Sequence, residues 1–229
     1  TGDRLPAKLS DRQERIADMV RDADFLDVET LAGQFNVTTQ TIRRDLNVLC
    51  DFGLARRKHG GVERPSAVGN LAYSSRQILK TKEKRSIAQA VARLIQNGAS
   101  LAFGIGTTPE LVAEALLGHE NLRIFTNNLN VAMLACTNRG FQVTVAGGTV
   151  RNSDRDVLGP EVERFFSGYR VDFGIFGVAG IEEDGALLDF SQDEVLARQA
   201  IRQHSRQSFL VADFAKFSRR AHVRGGQIE

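Results

Sequence analysis

The sequence predicts an α/β chain of two unequal domains: a small N-terminal winged helix-turn-helix unit and a larger C-terminal domain built on a parallel sheet. Three observations predict it. At 229 residues the chain exceeds the usual size of one domain. Its N-terminal part carries three short helical stripes with a tight turn between the last two. Beyond residue 78, continuous apolar runs alternate with helical spacing, as buried parallel strands do. The expected boundaries are 1–62 for the first domain, 63–78 for a linker and 79–229 for the second.

Ser10 followed by Gln13 reads as a capping box, and Ile16, Met19 and Val20 form one apolar face of a first helix. Asp24 to Asp27 interrupts it. Val28, Leu31, Ala32 and Phe35 then recur at helical spacing, Asn36 and Val37 make a turn, and Thr38 caps a third helix lined by Ile42, Leu46 and Leu49 that Gly53 ends. Leu54 to Val62, with Arg56-Arg57-Lys58-His59 and the Gly60-Gly61 turn, suits a β wing. Pro65, Gly69, Asn70 and nearby serines mark the linker. In the second domain, helical spacing at Ile87, Val91, Leu94 and Ile95 ends at Gly98. Strands are expected at Leu101 to Ile105, Leu122 to Phe125, Val143 to Ala146, Phe173 to Val178 and Phe209 to Ala212.

The 30 basic and 28 acidic side chains leave a net charge of +2, so any affinity for nucleic acid must be local. Cys50 and Cys136 lie in apolar stretches without metal spacing, and His59, His119, His204 and His222 are scattered, which argues against a metal site or a cofactor and fits a reducing cytoplasm. No apolar run approaches the roughly 18 to 20 residues of a membrane helix, and no signal-peptide pattern is visible. The chain begins at Thr1 and ends at Glu229, just after Gly225 and Gly226, and the expectation is that the second domain is truncated at its C-terminus.

On a helical wheel Gln40, Arg44 and Asn47 fall opposite Ile42, Leu46 and Leu49, with Arg43 on the flank. That chemistry suits a major groove: Arg donates twice to guanine, Gln or Asn pairs with adenine, and Thr39 reaches a phosphate or base. From Thr39 to Glu63 five basic residues face three acidic ones, concentrated on this helix and on Arg57, Lys58 and His59 of the wing. An Arg pair by itself is equally what a solvated helix face shows. Asp45 points away from the groove face and is expected to orient an Arg or cap a neighbouring helix.

Gly106-Thr107-Thr108-Pro109 lies between an apolar strand and a helical pattern, where backbone N–H groups and two hydroxyls can meet an anion over a helix N-terminus. Two further loops share this topology, Thr126-Asn127-Asn128 and Gly147-Gly148-Thr149. Ligands of open α/β sheets collect outside the carboxyl ends of strands, where all three are expected. Each loop taken alone also reads as helix capping or as a simple turn.

Thr41-Ile42-Arg43-Arg44-Asp45-Leu46, preceded by Leu31-Ala32 and Phe35 and followed by Gly53 and His59-Gly60-Gly61, resembles the N-terminal signature of the DeoR family of bacterial repressors. The resemblance continues through Leu122 to Val131, Asp172-Phe173-Gly174-Ile175, Asp184-Gly185 and Phe190, and runs from about Leu5 to Glu229. It implies that the third helix contacts DNA through Thr39, Gln40, Thr41, Arg43 and Arg44. It also implies an effector domain sharing the fold of ribose-5-phosphate isomerase, with Asp184, Glu194, Arg198 and Lys216 in or near a sugar pocket. There Lys216 would pair with phosphate while Asp184 or Glu194 accepts hydroxyl hydrogens.

The implied partners are operator DNA, a small phosphorylated polyol or sugar with glycerol 3-phosphate foremost, and further copies of the chain. Two departures stand out. Gly104 occupies a position often acidic in relatives, and the family's domain continues beyond Phe217, so a final strand or part of an oligomer interface is expected to be missing. A sugar-phosphate isomerase would instead use Glu194 or Asp184 as base and Lys216 to stabilise an enediolate. A bare dimerisation scaffold would leave the three loops without a purpose.

Overall fold

In a computed structural model, residues 9–65, 71–217, 219 and 221–228 are described. Residues 1–8, where the family resemblance begins, and Gly69 and Asn70 of the expected linker lie outside them. The chain divides into two compact units, Thr1–Thr81 and Lys82–Glu229.

In the first unit, helix α1 (Asp11–Asp22) opens on the capping box: the Gln13 N–H donates to Ser10 Oγ and the Ser10 N–H to Gln13 Oε1. The interruption at 24–27 contains a short strand, β1 (Phe25–Asp27), which the sequence pattern does not show. Asp27 then caps α2 (Val28–Phe35) by accepting from the Thr30 N–H at 2.7 Å. The turn to α3 (Thr39–Asp51) passes through Asn36 in the left-handed region, and Thr38 caps α3. Strands β2 (Arg56–Lys58) and β3 (Gly61–Glu63) form the wing in an antiparallel sheet of order β1-β3-β2. Ile16, Leu31, Ile42, Leu46 and Leu49 are fully buried together, so α3 is pinned by one face and presents the other.

The expected linker is partly structured. Residues 73–78 form helix α4 (Tyr73–Ile78), whose Ile78 joins the first unit's core while the buried Ser75 hydroxyl donates to the Phe52 carbonyl. One apolar anchor per helical turn is too sparse for periodicity to reveal.

In the second unit, α5 (Thr81–Ala92) leads into strand β4 (Ser100–Phe103), helix α6 (Thr107–Ala115), strand β5 (Arg123–Thr126), helix α7 (Leu129–Ala135) and strand β6 (Gln142–Val145). A hairpin follows, β7 (Val150–Arg151) and β8 (Asp156–Val157), then α8 (Pro160–Ser167) and β9 (Val171–Phe176). Next come β10 (Gly180–Ile181), β11 (Ala186–Asp189), α9 (Gln192–Gln203), β12 (Ser205–Leu210), a 3-10 turn (Phe214–Lys216) and β13 (Val223–Gln227). The main sheet is parallel in the order β12-β9-β4-β5-β6. Leu101, Phe103, Ile124 and Ile175 fill one core layer with Val112, Leu116 and Val131 from the covering helices.

The chain builds outward from β4 to β6, then resumes at β9 on the other side of β4. The strand order therefore reverses between β4 and β9, which makes the carboxyl end of the sheet the place for a ligand. A second, antiparallel sheet β10-β11-β13 and the β7-β8 hairpin were not evident from the sequence, because their strands are short and carry several polar or glycine residues. Chain beyond Phe217 supplies β13, which pairs with β11. Leu94, expected on the first helix's apolar stripe, lies past the end of α5 and is exposed; the buried face is Lys84, Ala88, Val91 and Ala92.

Candidate functional site

Two places carry chemistry, one in each unit. On α3, Gln40, Arg43, Arg44 and Asn47 are exposed opposite the buried Ile42, Leu46 and Leu49. With Arg57, Lys58, His59 and Gly60 of the wing they line an open cleft of about 500 Å³. Thr39 and Thr41 sit half-buried at the start of α3, where the Thr41 N–H and hydroxyl both meet Thr38 Oγ1.

Electrostatics inside this face are partly spent on its own architecture. Arg57 donates to Asn47 Oδ1 and, at 3.1 Å, to the Arg43 carbonyl, so it holds the wing against α3. Lys58 lies 2.9 Å from Glu63, which Arg56 also pairs with; hydrogen bonds from Lys58 and then Arg56 hold the Glu63 carboxyl below the usual carboxylate range. Among the described residues, Arg43, Arg44 and His59 enter no ion pair, and they sit at exposed positions. Asp45 is buried and accepts from Arg12 Nε at 2.6 Å and Gln13 Nε2 at 2.9 Å. It orients an Arg, on α1, and does not face the cleft.

In the second unit, the loops after β4, β5 and β6 bring Gly106, Thr107, Thr108, Asn127, Gly147 and Gly148 to the carboxyl edge of three neighbouring strands. Gly106, at φ 119°, precedes α6 and leaves its N-terminus without a side-chain cap. Thr107 and Thr108 are buried in the first turn. Gly148, at φ 140°, lies over Val157 of the hairpin. The Thr126 hydroxyl donates to the Phe103 carbonyl at 3.0 Å and accepts from the Asn128 N–H, so the ends of β4 and β5 are tied together. Asn127 donates from Nδ2 to the Val157 carbonyl at 2.8 Å, while its Oδ1 is buried with no hydrogen-bond partner among the described residues. At Gly104, a Cβ would lie 3.1 Å from Ile201 Cδ1 and 3.4 Å from Phe176 Cβ, so an acidic side chain needs α9 to give way there.

The four residues assigned to the pocket by family resemblance are placed differently from one another. Glu194 is buried; its Oε1 accepts from Arg151 at 2.8 Å and its Oε2 from the Phe190 N–H at 3.0 Å. Arg151 also grips Asp156 with two hydrogen bonds, and so links α9 to the hairpin that follows Gly148. Burial lowers the Arg151 pKa, but the hydrogen bonds and charges of Asp156 and Glu194 outweigh it and raise it above its ordinary value. Arg198 is buried against Asp189, with Nε at 3.0 Å, and donates to the Gly225 carbonyl on β13. Asp184 is exposed on the β10-β11 turn, where it accepts from the Ala186 N–H and from Arg224. Lys216 is half-buried in the 3-10 turn beyond β12, in which Asp213 accepts from the Ala215 N–H.

Sequence reasoning missed Lys84, Arg151, Asp156 and Asp189. Lys84 had a signal: with Ala88, Val91 and Ile95 it falls on one helical stripe, but the surrounding Lys80 to Arg85 reads as a solvated charge run. Of the others, Arg151 pairs with Asp156 five positions on and with Glu194 43 positions on, and Asp189 with Arg198 nine positions on, each across different elements, so no periodic pattern announces them.

A model described as the DeoR-like helix-turn-helix domain matches residues 12–68, and one described as the DeoR C terminal sensor domain matches residues 79–229. The glycerol-3-phosphate regulon repressor of Haemophilus influenzae is 48% identical over 221 residues, 96% of this chain and 86% of that protein. Its namesake in Escherichia coli is 44% identical over 221 residues, 96% of this chain and 88% of that protein. Among solved structures, ribose 5-phosphate isomerase A of Methanocaldococcus jannaschii is 14% identical, with a TM-score of 0.44, and the match covers 60% of this chain and 54% of that one.

Proposed function

Because the chain belongs to the DeoR family, we propose that it is a transcriptional repressor, acting in the cytoplasm, whose grip on operator DNA is released by a phosphorylated polyol or sugar, glycerol 3-phosphate foremost. The observation that carries the DNA half is the exposed face of α3, with Arg43, Arg44, Gln40 and Asn47 beside a basic wing. A helix held by one apolar face and offering bidentate donors on the other is built to enter a major groove. The effector half rests on the loops at the carboxyl edge of β4, β5 and β6. One helix-turn-helix unit reads few base pairs, so paired half-sites call for a homo-oligomer.

Operator binding followed by anisotropy at fixed salt tests both halves. Glycerol 3-phosphate should weaken operator binding, and operator DNA should weaken effector binding by the same factor. Thr107→Val keeps size and β-branching while deleting the hydroxyl, so it should raise the effector concentration needed for release by about tenfold or more with affinity for DNA unchanged in its absence. A variant that is folded and responds at the parent's concentrations removes Thr107 from the site.

Lys58→Ala should weaken specific and non-specific DNA alike and reduce the slope of log affinity against log salt by about 1, because a wing cation meets phosphate. The Glu63 carboxylate that Lys58 now offsets adds to the loss. A purely sequence-selective loss contradicts that role.

A further inference from the structure

We propose that Arg57 is a positioning residue for base readout: it holds the Asn47 carbonyl, so that Asn47 meets DNA through its amide N–H groups and selects the acceptor edge of guanine over the mixed edge of adenine. The inference rests on the operator-binding reading above and assigns roles within it.

Strand β2 sends its three cations two ways. Successive side chains of a strand point to opposite faces, and Arg56 and Lys58 turn to Glu63 on β3 while Arg57 turns to α3. There its Nη2 donates to two groups one helical turn apart, the Arg43 carbonyl at 3.1 Å and Asn47 Oδ1. A guanidinium committed to two acceptors on α3 braces the helix, whereas Lys58 stays on the other face of the strand. Arg43, Asn47 and Arg57 line the same open cleft as Gln40 and Arg44, so the braced amide lies on the DNA-facing surface.

The orientation of the Asn47 amide follows from the chemistry of its partner. A guanidinium carries donors and no acceptor, so the atom facing Arg57 is the carbonyl oxygen. Nδ2 makes no hydrogen bond among the described residues, and Asn47 is exposed. An amide reads adenine by accepting from N6 and donating to N7 at once. Here N6 would have to share Oδ1 with a cation. Guanine instead offers N7 and O6, both acceptors, to the amide N–H groups. The bond from Arg57 draws electron density from the amide and strengthens its N–H groups as donors, and the positive charge favours O6 over an amino group. On the helix alone Asn47 could read either purine; the wing decides between them.

The test is selection of bound duplexes from a library with a randomised core, using the full chain and its variants at one salt concentration. Asn47→Ala identifies the position read, as the one whose preference flattens. There the parent should favour guanine over adenine by about fivefold or more. Arg57→Met should move that ratio towards adenine by about fivefold or more, because the freed amide can turn and pair with N6 and N7 together. Arg57→Lys should keep part of the parent's preference, since an ammonium also donates to Oδ1. In the Asn47→Ala background, Arg57→Met should leave the ratio unchanged, which ties the shift to the amide. A role confined to supporting the wing would scale all sequences alike.

An adenine preference of the parent at that position overturns the inference, and so does an Asn47→Ala variant whose preferences match the parent's at every position. An Arg57→Met variant that weakens every duplex by one factor and lowers the salt dependence makes Arg57 a phosphate contact, and this too overturns it. The operator reading stands in each of these cases. A parent that selects no sequence from the library overturns the inference together with the operator reading.

Discussion

Arg198→Met is expected to lower the stability of the second unit by about 3 to 5 kcal/mol, the cost of removing one partner from a buried ion pair. The side chains of Arg198 and Asp189 are 5% and 8% exposed, and Met leaves the carboxylate with the Ala179 N–H as its remaining hydrogen-bond donor of those described. Burial already pushes the Asp189 carboxyl above its ordinary range even with Arg198 beside it. The sign of the pH dependence follows. A carboxyl whose folded pKa exceeds its unfolded one binds more protons folded, so its contribution is present below the unfolded pKa and is lost as pH rises through the folded one. Without Arg198 the folded pKa rises further, and the variant should lose more stability at pH 8 than at pH 5.

Denaturant unfolding at the two pH values checks this, and adding Asp189→Asn to Arg198→Met should recover part of the loss. The same experiment decides what Arg198 is for. A loss below about 1 kcal/mol without pH dependence, together with a lost response to glycerol 3-phosphate, would return Arg198 to the effector site; the expected result makes it a strut between α9, β11 and β13.

Arg44→Ala should weaken operator binding by about 1 to 3 kcal/mol, roughly five- to more than a hundredfold, and relax base preference at one position. The size follows from a bidentate contact to a guanine edge, and Arg44 is well placed for one because it is exposed on the cleft face of a helix whose opposite side is fully buried. Arg43 is its neighbour, and the Arg43 carbonyl is already used by Arg57. Titrations against the operator and single-base variants at one salt concentration should show the loss confined to the preferred sequence. Equal losses on every sequence would make Arg44 a phosphate contact instead.

The two groups of candidate residues differ in how far local sequence carries them. The α3 face was legible because a helix converts sequence spacing into direction: Ile42, Leu46 and Leu49 must face the core, and Gln40, Arg44 and Asn47 are then driven outward. The central strands β4 and β9 were legible for a related reason, since a strand covered on both faces is apolar nearly throughout and bounded by polar turns, whereas the edge strands β6 and β12 are exposed or half-buried along much of their length and show only part of that signal. The loops after β4, β5 and β6 followed from topology once those strands were recognised.

What only the tertiary structure decided is which charged groups meet. Arg151 with Glu194 and Asp156, Arg198 with Asp189, and Lys84 with Thr107 join side chains from different elements, and each acid or base looks solvated in its own segment. Asp184, which the family resemblance puts in or near the pocket, lies on the exposed β10-β11 turn with Arg224. The sequence by itself determined the three N-terminal helices and the wing, the apolar runs of the main sheet, the DNA-facing helix surface and the glycine and threonine turn, because propensity, capping and periodicity act over a few residues. The partners of the buried charges depend on packing that brings different elements together, and burial, which makes an unpaired charge costly, exists only once that packing has formed.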